Sequence, residues 1–343
     1  MWRVIGQDRA VSLLQRSLEK GALAHAYLFT GPSHIGKMAL ALDLARALNC
    51  GMAEPPCGEC LSCQKIEQGK HADVQVISLS SGDNTSGVKN QTEIGIEQVR
   101  QLQHSASLPP FEGKCKVFII DGAEFLSMEA ANRLLKTLEE PESRVVFVLL
   151  ASDCSFIPDT VISRCQWLKL APVAAGKVEA ALISGWGIAP EKAKRLARLS
   201  RGCFGWALTA AEDADFLAQH CEKRDKILDI MLAGNEERFE YAAQLAAQFS
   251  QKRDTVWEVL NLWLELWRDM LLLKLGSGEA ITNIDIEDRL IECAGEYSLD
   301  ETRAFISDIQ AAGERLRQNA SPRLVLEVLM LDLPGRRQEK VAR

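Results

Sequence analysis

Two periodicities of apolar residues share the first half of the chain. Between Ile5 and Leu23, Val11, Leu14 and Leu18 recur at helical spacing and predict an amphipathic helix that Gly21 closes. Ala26-Tyr27-Leu28-Phe29 is a short unbroken apolar run, and Ala39–Leu48 is a second helical pattern. Val74–Leu79, Lys116–Asp121, Val145–Leu150 and Trp167–Leu170 read as further strands, rich in β-branched and apolar residues. Helical patterns stand between them at Ile96–Leu102 and Met128–Leu138, the second halted near Pro141. Strand and helix in alternation predict an α/β fold, a parallel sheet with helices on both faces. Ser80–Gln91 is polar and reads as a loop.

Beyond Pro172 the strand pattern stops. Val178–Ile183, Pro190–Leu199 and Trp206–Leu217 predict small helices divided by glycines, and from Asp215 to Leu333 the helical patterns lengthen. There Trp257, Leu260, Leu264, Trp267 and Leu271 mark one helical face, a core stripe. Pro322–Met330 is the final helix, and Arg336–Arg343 is a charged tail. The organisation expected is an α/β base over 1–171, a small helical domain over 172–213, an all-α domain over 214–335 and the tail over 336–343.

Composition narrows the class. Hydrophobic residues are 47% of the chain and charged residues 25%, as in an ordinary soluble globular protein. The net charge of −7 argues against a chain that binds DNA by itself, so any DNA contact is local or shared with partners. Early charges at Arg3, Asp8 and Arg9 argue against a signal peptide, and acidic and basic residues interrupt the apolar stretch Val256–Leu275, so no membrane span is expected. Asn84-Thr85-Ser86 matches a glycosylation acceptor, which has no meaning without the secretory route that is not expected here.

Of the ten cysteines, four lie close together as Cys50-x6-Cys57-x2-Cys60-x2-Cys63, on a loop rich in glycine and proline. Overlapping C-x-x-C units of this kind suit a tetrahedral thiolate site for structural zinc in a reducing compartment, with no open position for catalysis. A set of reduced cysteines or a redox pair are the other readings, and His71 is near enough to replace one ligand.

The strand Ala26–Phe29 and the helix from Ala39 enclose Gly31-Pro32-Ser33-His34-Ile35-Gly36-Lys37-Met38, which fits G-x-x-x-x-G-K. Such a loop cradles phosphates with backbone donors and a helix N-terminus, and places its lysine on the outer phosphates. The next residue normally supplies a hydroxyl to magnesium. Here it is Met38, whose thioether is a poor ligand for a hard cation. Asp121 ends its apolar strand where a magnesium-side acid belongs. Gly31, Gly36, Lys37 and Asp121 therefore outline a nucleotide site with one working part missing.

Several landmarks keep a familiar order: the glycine loop, the cysteine insert, Ala130-Ala131-Asn132-Arg133-Leu134-Leu135-Lys136-Thr137-Leu138-Glu139-Glu140-Pro141, Ser163-Arg164-Cys165, and Asn319-Ala320-Ser321-Pro322-Arg323-Leu324. Over nearly its whole length the chain resembles the clamp-loader subunits of bacterial DNA polymerase III, members of the AAA+ family. The resemblance implies an AAA+ base, a helical lid and a helical collar that closes a pentameric ring. It implies gamma/tau and delta subunits as partners, with the sliding clamp and primed DNA reached through the complex. The location implied is cytoplasmic, within the machinery of a nucleotidyltransferase holoenzyme. Within the family the pattern is more similar to the delta-prime branch than to the ATP-hydrolysing gamma/tau branch. A hydrolysing member carries a glutamate directly after the strand's aspartate; here Gly122 follows Asp121, and Glu124 comes three residues on. Where active relatives have a lid arginine, this chain has Gly205. ATP would then bind weakly, if at all, without hydrolysis. Ser163-Arg164-Cys165 is intact, and the resemblance makes Arg164 an arginine finger acting on the ATP of a neighbouring subunit. A gamma-type ATPase is the alternative.

Overall fold

The computed structural model describes residues 2–79, 93–140, 142, 144–249, 253–318 and 320–335. The loop expected over 80–91 with its Asn84-Thr85-Ser86 acceptor, Pro141, Asn319 and the tail 336–343 lie outside them. The chain forms two compact units, one of residues 1–181 with 202–206, the other of residues 182–201 with 207–343.

The first unit is built as α1 (Asp8–Glu19), β1 (Ala26–Thr30), α2 (Lys37–Asn49), α3 (Leu61–Glu67), β2 (Val74–Ile77), α4 (Ile96–Ala106), β3 (Lys116–Asp121), α5 (Met128–Glu139), β4 (Val145–Ala151), α6 (Asp159–Ile162) and β5 (Gln166–Lys169). The five strands form one sheet in the order β2-β3-β4-β1-β5, with every pairing parallel. β1 and β4 are buried along their whole length, as is β3 up to Asp121. Strands covered on both faces read as continuous apolar runs, which is why their sequences do not alternate. Alternate side chains still serve opposite faces. Leu28, Phe118, Ile120, Phe147 and Leu149 pack with Val99 and Leu102 of α4 and with Leu134 and Leu138 of α5. Tyr27, Phe29, Val117, Ile119, Val148 and Leu150 pack with Leu14 of α1 and with Leu40 and Leu44 of α2. The expected sheet with helices on both faces is present.

Next along the chain come α7 (Ala175–Trp186), α8 (Pro190–Leu199), α9 (Phe204–Glu212), α10 (Ala214–Leu232), α11 (Asn235–Phe249), α12 (Arg253–Lys274), α13 (Glu287–Glu296), α14 (Leu299–Arg317) and α15 (Pro322–Asp332). Among the described residues no strand follows β5, and no helix is long and apolar enough to cross a membrane. In the second unit, Trp267 packs on Phe305 with ring centroids 4.5 Å apart and on Tyr297 at 5.0 Å.

Two local expectations are corrected. The helix expected over Trp206–Leu217 is two helices. Asp213 adopts an extended backbone between them and accepts N–H bonds from Asp215 and Phe216, so a new helix starts there. The stripe on α12 is rotated from its expected position. Val256, Val259, Leu260, Trp263, Leu266, Trp267 and Met270 are buried, whereas Trp257 and Leu264 sit half-buried at the flank. The Arg317 guanidinium lies 5.2 Å from the Trp257 ring centroid and covers that outer aromatic by a cation–π contact.

Candidate functional site

The glycine loop is the turn from β1 into α2. The Gly31 N–H donates to the Ala151 carbonyl at 3.2 Å, fastening the loop to the end of β4. A Cβ on Gly31 would stand 2.7 Å from the Leu170 carbonyl oxygen, so only glycine fits. Gly36 caps α2 with φ 105°, a left-handed conformation that glycine adopts without a steric cost. Lys37 Nζ donates to the Gly31 carbonyl at 2.6 Å and the Pro32 carbonyl at 2.9 Å, so its ammonium is folded onto the loop's own oxygens. Burial holds its pKa below the ordinary lysine value, against the opposing pull of Glu124 and then Asp121. Burial likewise raises the Asp121 carboxyl, with Lys37 opposing. Met38 is half-buried against the apolar cluster between α2 and the sheet and presents no oxygen to a cation.

Glu124 joins this group, and nothing in its sequence spacing announced it. Gly122 turns the chain with φ 84° at the end of β3, and a single 3-10 turn over Ala123–Phe125 follows. Glu124 Oε1 then accepts the Ser152 N–H at 2.8 Å, just past β4. Its other carboxylate oxygen is buried without a hydrogen-bond partner. On the opposite side of the loop, the Gly205 N–H donates to the His34 carbonyl at 3.0 Å. A Cβ at 205 would stand 2.8 Å from that same oxygen, so the close backbone approach itself demands glycine there.

The cysteine cluster gathers at the far end of α2. Cys50 follows α2 directly, Cys60 is the N-cap of α3 and Cys63 lies in its first turn. The four sulfur atoms all lie within 4.8 Å of one another, with Cys50 and Cys60 at 4.0 Å and Cys57 and Cys63 at 3.9 Å. A zinc ion bonded to four sulfurs at ~2.3 Å sets tetrahedral edges of about 3.8 Å. The donor set therefore fits a closed metal site. The backbone N–H groups of Cys60 and Glu59 lower the Cys57 thiol to about 6, toward the thiolate a metal requires, while burial pushes Cys63 up to about 12. His71 is not among the ligand atoms that gather within 4.8 Å of one another, which are the four cysteine sulfurs. It is buried, and its Nδ1 accepts the Asp73 N–H at 3.2 Å.

Arg164 lies just past α6 and two residues before the edge strand β5. Its Nη1 donates to the Thr160 carbonyl at 2.8 Å and its Nη2 to Glu139 of α5 at 2.5 Å. The pair is at the surface, with the two side chains 34% and 50% exposed, so the guanidinium does not enter the core. Cys165 behind it is an inert thiol, pushed up to about 12 by burial.

The structure thus brings Lys37, Asp121 and Glu124 together, gathers the four cysteines, and holds Arg164 at the surface against Thr160 and Glu139. The family model described as DNA polymerase III, delta subunit, matches residues 6–174. DNA polymerase III subunit delta' of Bacillus subtilis is 29% identical over 333 residues, 95% of this chain and 96% of that protein. DNA polymerase III subunit gamma of Buchnera aphidicola (subsp. Acyrthosiphon pisum) is 38% identical over 177 residues, 51% of this chain but only 46% of that protein. A solved gamma subunit-related protein from Thermotoga maritima aligns over 94% of this chain and 98% of its own, at 18% identity and a TM-score of 0.45. Matches that run through the α/β unit and, for one relative, almost from end to end lead to one conclusion: residues 6–174 carry the DNA polymerase III delta-subunit pattern, and the chain as a whole is similar to a DNA polymerase III delta' subunit.

Proposed function

We propose that this protein is the delta-prime subunit of a clamp loader, a ring member that does not hydrolyse ATP itself and lends Arg164 to the nucleotide of its neighbour. The observation that carries this reading is the contrast between its two phosphate-directed cations. Lys37 is spent on the Gly31 and Pro32 carbonyls beside a methionine that cannot hold magnesium. Arg164 stands at the surface, braced by Thr160 and Glu139. Phosphoryl transfer is mostly positioning and neutralisation of charge, so a site without the metal's hydroxyl is disabled, whereas a planar, permanently charged guanidinium can serve a site across an interface. The four cysteines take a structural zinc that stiffens the α/β unit. Residues 172–213 serve as a lid and 214–335 as the collar joining gamma/tau and delta subunits in a pentameric ring. That ring loads the sliding clamp onto primed DNA.

The test is ATP turnover. The isolated full chain is expected to show none. In the reconstituted complex, Arg164→Ala should leave the ring assembled and slow turnover at the facing nucleotide by ~10³-fold or more. Unchanged turnover removes the finger role. A second reading, a gamma-type ATPase, draws on the 38% identity to a gamma subunit and on the two carboxylates beside Lys37. Brisk magnesium-dependent turnover by the chain alone, abolished by Lys37→Ala, would establish it.

A further inference from the structure

Helix α1 carries Arg9 and Arg16, and Lys20 caps its C-terminus with a helical backbone. At 3.6 residues per turn these positions fall within about 40° of one another around the axis, so they form a single cationic stripe. Ala10 and Leu14 turn the opposite side into the core. The stripe lines a concave site of about 530 Å³, completed by Ser12, Leu13 and, from the edge strand, Gln166.

Acidic residues outnumber basic ones in this chain, 47 to 40, and exposed cations elsewhere commonly find a carboxylate: Arg100 pairs with Glu97, Lys65 with Glu112 and Arg323 with Glu327. Arg9, Arg16 and Lys20 have no ionic partner among the described residues. The one carboxylate in the lining, Asp8, lies 3.5 Å from Lys177 and is already engaged. Three cations on one face repel one another until an anion meets them.

The position of the groove says which anion. β5 is the edge of the sheet, and Gln166, its first residue, follows Arg164 by two positions. In register Gln166 stands beside Tyr27, near the start of β1. The groove and Arg164 therefore lie at the same end of the same sheet edge. We infer that the groove receives an acidic segment of the neighbouring clamp-loader subunit, the one whose nucleotide Arg164 faces. This rests on the trans-arginine reading above. Along the stripe, Arg9 and Arg16 are about 10 Å apart and Arg16 and Lys20 about 6 Å, a spacing that carboxylates on one face of a helix reproduce at i, i+4. A nucleic-acid strand also offers regular anions. Three cations release few counterions, however, and the net charge of −7 opposes a free polyanion.

The experiment uses the full chain with the combined substitutions Arg9→Glu, Arg16→Glu and Lys20→Glu. Its affinity for the ATP-hydrolysing subunit of the same organism is measured from ~0.05 to ~0.5 M salt, beside Arg164→Ala. Charge reversal should weaken association at least ~10-fold at low salt, with the difference closing at high salt as screening takes over. The Arg9→Gln, Arg16→Gln, Lys20→Gln version, which keeps the helix and removes only the charge, should show a smaller loss in the same direction, with melting unchanged in both. Wild-type affinity and salt dependence in these variants would overturn the groove, even where Arg164→Ala slows turnover as expected. If Arg164→Ala does nothing while the reversed stripe weakens association, the groove stands and the finger reading falls. Loss of DNA binding by the isolated chain with assembly unaffected would also overturn the inference, in favour of nucleic acid.

Discussion

Asp73 is the residue whose removal should most clearly separate the fold's scaffolding from its chemistry. It is 2% exposed and stands immediately before β2. One carboxylate oxygen accepts the Phe111 N–H at 2.7 Å, and the other accepts those of Glu112 and Gly113 at 2.8 and 2.7 Å. The next two backbone N–H groups, of Lys114 and Cys115, donate to Asn49 Oδ1 at 2.8 and 3.0 Å, and Lys114 Nζ reaches the Cys50 carbonyl at 2.5 Å. One buried carboxylate thus anchors the segment that leans on the first cysteine of the metal cluster. Each hydrogen bond to a charged group contributes ~1.5–3 kcal/mol. Phe111 is 86% exposed, so freed N–H groups there regain water and the total falls below the simple sum. Asp73→Ala should cost about 3–5 kcal/mol, a fall in Tm of roughly 6–20 °C at the scale of a domain this size. Asp73→Asn should cost about half as much: its amide oxygen can keep one side of the array, but its NH₂ meets an N–H where an acceptor stood.

The pH dependence carries the sharper test. Burial pushes the Asp73 pKa up, and the three backbone donors outweigh it, so the folded value lies below the ordinary 3.8. A depressed carboxyl stabilises the fold fully above its unfolded value and loses that contribution as pH falls through the folded one. Urea denaturation of wild type and variant at pH 7 and at several points below pH ~4 should therefore show the difference narrowing in acid. A difference below ~1 kcal/mol at pH 7, or one that persists unchanged in acid, would refute the reasoning.

Two further outcomes bear on the sites. Cys60→Ser should lower the bound zinc and the melting temperature together, and metal analysis of the wild-type protein should return about one zinc per chain; a wild type free of zinc would end the cluster assignment. Gly205→Arg, which restores the charge that hydrolysing relatives carry, should destabilise the protein by ~1–3 kcal/mol through its clash with the His34 carbonyl and should restore no turnover; a variant as stable as the wild type would show that the loop yields there.

The lesson of Glu124 is about distance along the chain and distance in space. Three residues from Asp121 it stood off the position where a hydrolysing member carries its glutamate, and sequence spacing says nothing about a left-handed glycine and a 3-10 turn that double the chain back. Gly205 is the opposite case. Its missing charge was visible in the sequence, whereas the reason no side chain fits, a carbonyl 2.8 Å from the would-be Cβ, belongs to a segment far away in the chain. On α12 the helical period was legible, but the choice of which apolar residues turn inward fell to the partners, and Trp267 rather than Trp257 meets Phe305 and Tyr297.

What the sequence determined by itself was local and periodic. Continuous apolar strands between amphipathic helices specify a parallel sheet covered on both faces, the glycine loop specifies a tight strand-to-helix turn, and overlapping C-x-x-C units bring sulfurs together over a few residues. All three follow from backbone sterics and burial within short stretches. Tertiary structure alone decided which groups meet across long separations: Asp73 with residues 111–113, Arg164 with Glu139, and a stripe of cations on α1 beside the first residue of β5. Those meetings depend on strand order and packing, which sum many weak contacts over the whole chain, and no short window of sequence contains that sum.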